Sequence, residues 1–99
     1  MKLSSKQKSC LKGLGHHLKP IIQIGKDGLS EKFIANLEDA LEHHELLKIR
    51  VLDNAPTEKK ELAASIEKAS RGAVVQIIGH TLLYYRPFAE EPLIMLPKK

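Results

Sequence analysis

Between Ile21 and Phe33 the chain reads IIQIGKDGLSEKF, and its hydrophobic period changes in the middle of the stretch. IIQI is a short apolar run rich in β-branched residues, as in a buried strand, whereas Phe33, Leu37, Ala40, Leu41 and His44 recur at helical spacing. The change is made across Gly25-Lys26-Asp27-Gly28, with Ser30 placed to cap the helix and Glu31 in its first turn, where the helix dipole favours an acid. Strands separated by helices suggest parallel pairing through right-handed crossovers, so this junction points to a sheet with helices packed on it.

The other segments continue the alternation. Ser4 or Ser5 can cap a first helix with Leu3, Cys10, Leu11 and Leu14 on one side and Lys8 and Lys12 on another, and Gly13 and Gly15 are expected to end it. LLKIRVL, residues 46–52, alternates Leu47, Ile49 and Val51 with Lys48 and Arg50, predicting a strand with one wetter face. After the turn DNAP, Thr57 is the expected cap of a third helix reaching about Arg71, with Leu62, Ala63, Ile66 and Ala69 inward and Gly72 as its stop. AVVQII and LLYYR read as two strands joined through Gly79-His80-Thr81, a connection short enough for a hairpin. Pro87, Pro92 and Pro97 make 88–99 an extended tail in which LIML can tuck against the body. The order α-β-α-β-α-β-β predicts an α/β (α+β) fold with a small mixed sheet, parallel through crossovers and antiparallel at the last hairpin. At 99 residues the chain is expected to be one domain, 1–99, with its core over about 4–87.

Charge is unevenly placed. Residues 1–28 hold Lys2, Lys6, Lys8, Lys12, Lys19 and Lys26 against Asp27 alone, while the remainder holds ten basic residues against eleven acidic ones. The formal net charge of +4 therefore comes from the segment that ends at the glycine pair, as a polyanion-binding surface at one end of a domain requires. A basic helix that merely keeps the protein in solution would look the same. The apolar runs are far too short to span a bilayer, the N-terminus is too polar for a signal peptide, and the single Cys10 cannot form an internal disulfide, so a cytoplasmic location is expected.

The glycine pair has two readings. Glycines before a helix N-terminus let an anion reach the backbone N–H groups without meeting a Cβ, and Lys26 projects from the same loop, as in the G-x-x-G loop of KH domains that clamps a nucleic-acid backbone. The plainer reading is a tight strand-to-helix turn needing positive φ, and Asp27 opposes phosphate unless it turns aside to bond loop amides. Neither the P-loop spacing nor the G-x-G-x-x-G dinucleotide fingerprint is present. His16-His17 and His43-His44 are adjacent pairs rather than chelating i, i+4 pairs, so no metal and no cofactor is expected. Cys10 falls on an apolar face, Glu38, Asp39, Glu42 and Glu45 read as a solvated helix face, and no nucleophile, base and anion hole can be assembled; an enzyme is not expected. In LLYYRP, Tyr84 shares a face with Arg86, so one tyrosine with the arginine could serve stacking and phosphate contact.

Taken together, LKPIIQIGKDGL, ALEHHELLKIRV and VQIIGHTLLYYRP in that order resemble the YhbY family, the bacterial stand-alone form of the CRM (chloroplast RNA splicing and ribosome maturation) domain, from about Ser4 to Pro87. The resemblance implies an RNA-binding domain similar in fold to the C-terminal domain of translation initiation factor three, with a mixed four-stranded sheet and a KH-like G-x-x-G loop. It also implies association with precursors of the large ribosomal subunit, the plant members being associated with group II intron splicing. Gly25, Lys26, Asp27 and Gly28 match the family loop; on charge grounds only, Lys8, Lys12 and Lys19 extend the expected RNA surface, and Arg86 joins it from the reading of LLYYRP. A monomer is expected because the basic segment repels its own copy. The rival is a module that docks on a ribosomal protein or assembly GTPase through the acidic second helix.

Overall fold

Ser4 caps the first helix: its Oγ accepts the Gln7 N–H at 3.1 Å while Gln7 Oε1 accepts the Ser4 N–H at 3.1 Å, closing a capping box. In the computed structural model, which describes residues 1–98, this helix (α1) spans Ser5–Gly15. It is followed by β1 (Pro20–Ile24), α2 (Glu31–His43), β2 (Leu46–Val51), α3 (Lys59–Ser70), β3 (Ala73–Ile78) and β4 (Thr81–Tyr85). Ser30 caps α2, its Oγ accepting the Phe33 N–H at 3.1 Å.

The four strands form one sheet in the order β1-β2-β4-β3. β1 and β2 are parallel and joined through α2, as a strand–helix–strand unit requires; β4 pairs antiparallel with β3 and also with β2. The last hairpin therefore folds inward, and β4 becomes a central strand. Alternation along the strands gives the sheet two covered faces. Ile22, Ile24, Leu47, Ile49, Val51, Leu82 and Tyr84 meet Phe33, Leu37 and Leu41 of α2 and Leu62 and Ile66 of α3. On the second face Leu46, Val75, Leu83 and Tyr85 meet Leu11 of α1, with Leu3, Ile94 and Leu96 packed around them.

Three expectations are corrected here. Lys48 is buried rather than on a wet face, because α1 lies over that side of β2. The tail, expected to be extended with LIML tucked against the body, does fold Ile94 and Leu96 onto the core, and Gln7 Nε2 donates to the Pro97 carbonyl at 3.0 Å, while Leu93 and Met95 point outward. Glu45 is neither in α2 nor solvated; it lies buried before β2 and accepts the N–H groups of Phe88, Leu93 and Ile94. His44, expected on the apolar stripe of α2, is instead its exposed C-cap.

The helix ends also differ in detail. Gly13 sits inside α1, which ends after Gly15, where a Cβ would come 2.7 Å from Leu83 Cδ1. Glu58, with no side-chain cap bond, replaces Thr57 at the start of α3. Arg71 closes α3 in the left-handed region at φ 63°, and Gly72 follows against the Tyr84 ring. The Tyr84 hydroxyl accepts the Gly72 N–H at 2.8 Å and shares a hydrogen bond with Ser70 Oγ, so this aromatic ring ties β4 to the end of α3.

Candidate nucleic-acid interface

The GKDG segment is a tight turn in which the Gly28 N–H donates to the Gly25 carbonyl at 2.9 Å. Both glycines have an internal reason. Gly28 has φ +58° and a Cβ there would lie 3.0 Å from Pro56 Cγ; a Cβ on Gly25 would lie 3.3 Å from both Asn54 Oδ1 and Leu52 Cδ1. What comes close to this backbone within the chain is thus the loop between β2 and α3, held there by the Leu52 N–H donating to the Ile24 carbonyl at 2.9 Å.

The packing leaves Lys26 and Asp27 exposed at the tip. They border a cleft of about 220 Å³ with Gln23, Ser30, Lys32 and Asn36. Its far wall is the amino end of α2, where Ser30 satisfies one amide and helix geometry leaves those of Glu31 and Lys32 without an intrahelical acceptor. Two lysines, a helix N-terminus and turn amides thus converge on an open site suited to an anion, opposed by the carboxylates of Asp27 and Glu31. Sequence reasoning missed Lys32 and Asn36, although they stand four apart at the start of a helix and hence on one face.

The other expected site residues are spread along the molecule. Lys8 and Lys12 are exposed on α1, and Lys12 borders a separate cleft over the second sheet face. Lys19 precedes β1 and so stands at the opposite end of that strand from GKDG. Arg86 follows β4 at the end where Tyr85 pairs with Leu46, again away from the loop. Its Nη1 donates at 3.0 Å to both Glu38 oxygens and to the Ser70 carbonyl. Arg86 is therefore committed to holding α2 and α3 against the end of the sheet, and Glu38 is no longer a free acid for docking. Tyr84 and Tyr85 are both buried, which corrects the expectation that one could stack on a base. Among the described residues no group of three His, Cys, Asp or Glu side chains could hold a metal ion, and no helix is long and apolar enough to cross a membrane.

Fold and loop define a small domain of mixed α/β structure in which a sheet strand passes through a G-x-x-G turn into the amino end of a capped helix. Residues 3–86 match the model of the CRS1 / YhbY (CRM) domain, and the chain belongs to that family. It is 46% identical over 97 residues to a Haemophilus influenzae protein named an RNA-binding protein, covering 98% of this chain and 97% of that one. It is 41% identical over 95 residues to YqeI of Bacillus subtilis, named a probable RNA-binding protein, covering 96% of this chain and 99% of that one. A Staphylococcus aureus protein whose solution structure was presented as that of a candidate RNA-binding protein superposes with a TM-score of 0.82 at 44% identity, over 97% of this chain and all of that one. These names and descriptions concern RNA binding, and none concerns a catalysed reaction.

Proposed function

We propose that this chain is a non-enzymatic, monomeric RNA-binding protein that joins precursors of the large ribosomal subunit in the cytoplasm and assists their assembly. The observation that carries the reading is the exposed cleft at GKDG, where Lys26 and Lys32 flank the amino end of α2 in a chain whose relatives are named for RNA binding. Phosphates of the RNA backbone would occupy that cleft, with the lysines of α1 adding long-range attraction. Such contacts release counterions, so affinity should fall steeply with salt and depend little on base sequence. Structured ribosomal RNA should compete better than duplex DNA, through shape and the 2′-hydroxyl.

The test is fluorescence anisotropy with labelled fragments of large-subunit ribosomal RNA across a salt series, for the natural chain and a Lys26→Ala, Gly28→Asp double variant checked for folding by circular dichroism. Weaker binding by the folded variant, with a shallower salt slope, supports the reading. Binding by the natural chain that does not change with salt would refute it.

A further inference from the structure

A second cleft, of about 300 Å³, lies between the carboxyl end of α1 and the second face of the sheet. Lys12, His16, Lys48, Gln76 and Ile78 line it together with Gly15 and Leu83, and among the described residues no carboxylate does. Lys48 is only 9% exposed, yet among the described residues its ammonium makes a single hydrogen bond, 3.5 Å long, to the His16 carbonyl. Among the described residues no carboxylate comes within 4.0 Å of it. A lysine so deeply placed is ordinarily paired, since a lone desolvated charge is costly, and one long bond to a carbonyl offsets little of that cost.

The residues around it indicate which class of anion would suit this ammonium. Arg50 lies two residues further along β2 on the same face, exposed, some 6–7 Å beyond Lys48 at the rise of a strand. Its register partners are Gln23 of β1 and Thr81 of β4, and Thr81 in turn pairs with Ile78. Gln23 also borders the GKDG cleft, so the paired Arg50 and Gln23 lie between the cleft lined by Lys12 and Lys48 and the one lined by Lys26. Ile78, 45% exposed at the margin of the same cleft, offers an apolar surface for a sugar or base. Cations repeated along a line, with apolar contact between them, suit a polyanion strand better than an isolated ion.

We infer that this cleft is a second phosphate seat, in which a backbone phosphate of the RNA strand held at GKDG sits against the Lys48 ammonium with Arg50 and Lys12 beside it. The inference rests on the RNA-binding reading above and adds Lys48 and Arg50 to it. The experiment compares the natural chain, Lys48→Met, Arg50→Gln and the Lys26→Ala, Gly28→Asp variant with the same labelled ribosomal RNA fragments over the same salt series. Lys48→Met keeps an unbranched stem in the cleft and removes the charge together with its one long bond to the His16 carbonyl, so it should fold about as stably as the natural chain. It should bind about tenfold more weakly, with a salt slope shallower by roughly 0.7 to 0.9, and exposed Arg50→Gln should shift in the same direction. Should Lys48→Met fail to fold, Arg50→Gln alone decides. Unchanged RNA affinity in the folded sheet variants, beside a loss in the loop variant, would overturn the second seat and leave the cleft to an acidic protein segment. Salt-independent or absent binding by the natural chain would instead overturn the RNA reading, and the seat with it.

Discussion

Replacing Glu45 by Gln tests how the C-terminal tail is held. Glu45 is 4% exposed; its Oε2 accepts the Phe88 N–H at 2.8 Å, and its Oε1 accepts the N–H groups of Leu93 at 2.8 Å and Ile94 at 2.7 Å. Every partner is a donor, so a carboxylate, which only accepts, suits the site. A glutamine can keep its oxygen toward Leu93 and Ile94, but its NH₂ group then faces the Phe88 N–H, and the two kept bonds lose their charge assistance. A bond to a charged group contributes about 1.5–3 kcal/mol and a neutral one about 1 kcal/mol, while an orphaned buried donor costs about 1–3 kcal/mol. Together these give a loss of about 2–7 kcal/mol, or a fall in Tm of at least roughly 8 °C for a domain of this size. Thermal unfolding at pH 7 measures the loss, and native-state amide exchange should show protection disappearing at Leu93 and Ile94 before the rest of the sheet. A loss below about 1 kcal/mol with those amides still protected would mean that Ile94 and Leu96 hold the tail by packing alone, and the clasp argument would be wrong.

Tyr84→Phe should cost about 1–3 kcal/mol in urea titration, because it removes the acceptor of the Gly72 N–H and the partner of Ser70 Oγ. Burial pushes the Tyr84 phenol above its ordinary value of 10.0 despite the opposing bonds from Ser70 and Gly72, and burial with the Glu45 charge pushes Tyr85 up as well. The unfolded chain therefore loses these protons first, so stability is full below pH 10 and falls as pH rises toward the folded values; Tyr84→Phe should remove its share of that alkaline loss and leave the share of Tyr85. Two glycine substitutions should have opposite signs: Gly28→Ala should destabilise by about 1–2 kcal/mol, having φ +58° and Pro56 in the way, whereas Gly13→Ala, in α1 with nothing within 4 Å of its new methyl, should stabilise by about 0.5–1 kcal/mol. Equal effects in urea titration would contradict the conformational argument.

The seven elements were legible because each carries its own period: IIQI, Leu47-Ile49-Val51 and the stripe Phe33-Leu37-Leu41 can be assigned without knowing what they touch. Strand order was not legible in the same way. A hairpin is a local event, but whether β4 lies outside or inside β3 depends on which edge of β2 is vacant, and no residue of β4 records that. The same limit explains the site. GKDG stood out as a local motif, whereas the pairing of Arg86 with Glu38 across 48 positions and the burial of Lys48 beneath α1 are tertiary facts. Charged residues were read as solvated because most are; Lys48 and Glu45 depart from that rule through contacts remote in sequence.

The central placement of β4 also sets when the molecule can be assembled during synthesis. Until residue 85 has left the ribosome, β2 and β3 have no strand between them, and both cores lack Leu82, Leu83, Tyr84 and Tyr85. β1, α2 and β2 can associate earlier, but they would expose an unpaired edge and half-filled apolar faces. Folding should therefore be a late, cooperative event with a rate limited by non-local closure, and a nascent chain arrested after β3 should remain open to protease while one arrested beyond the tail clasp should not.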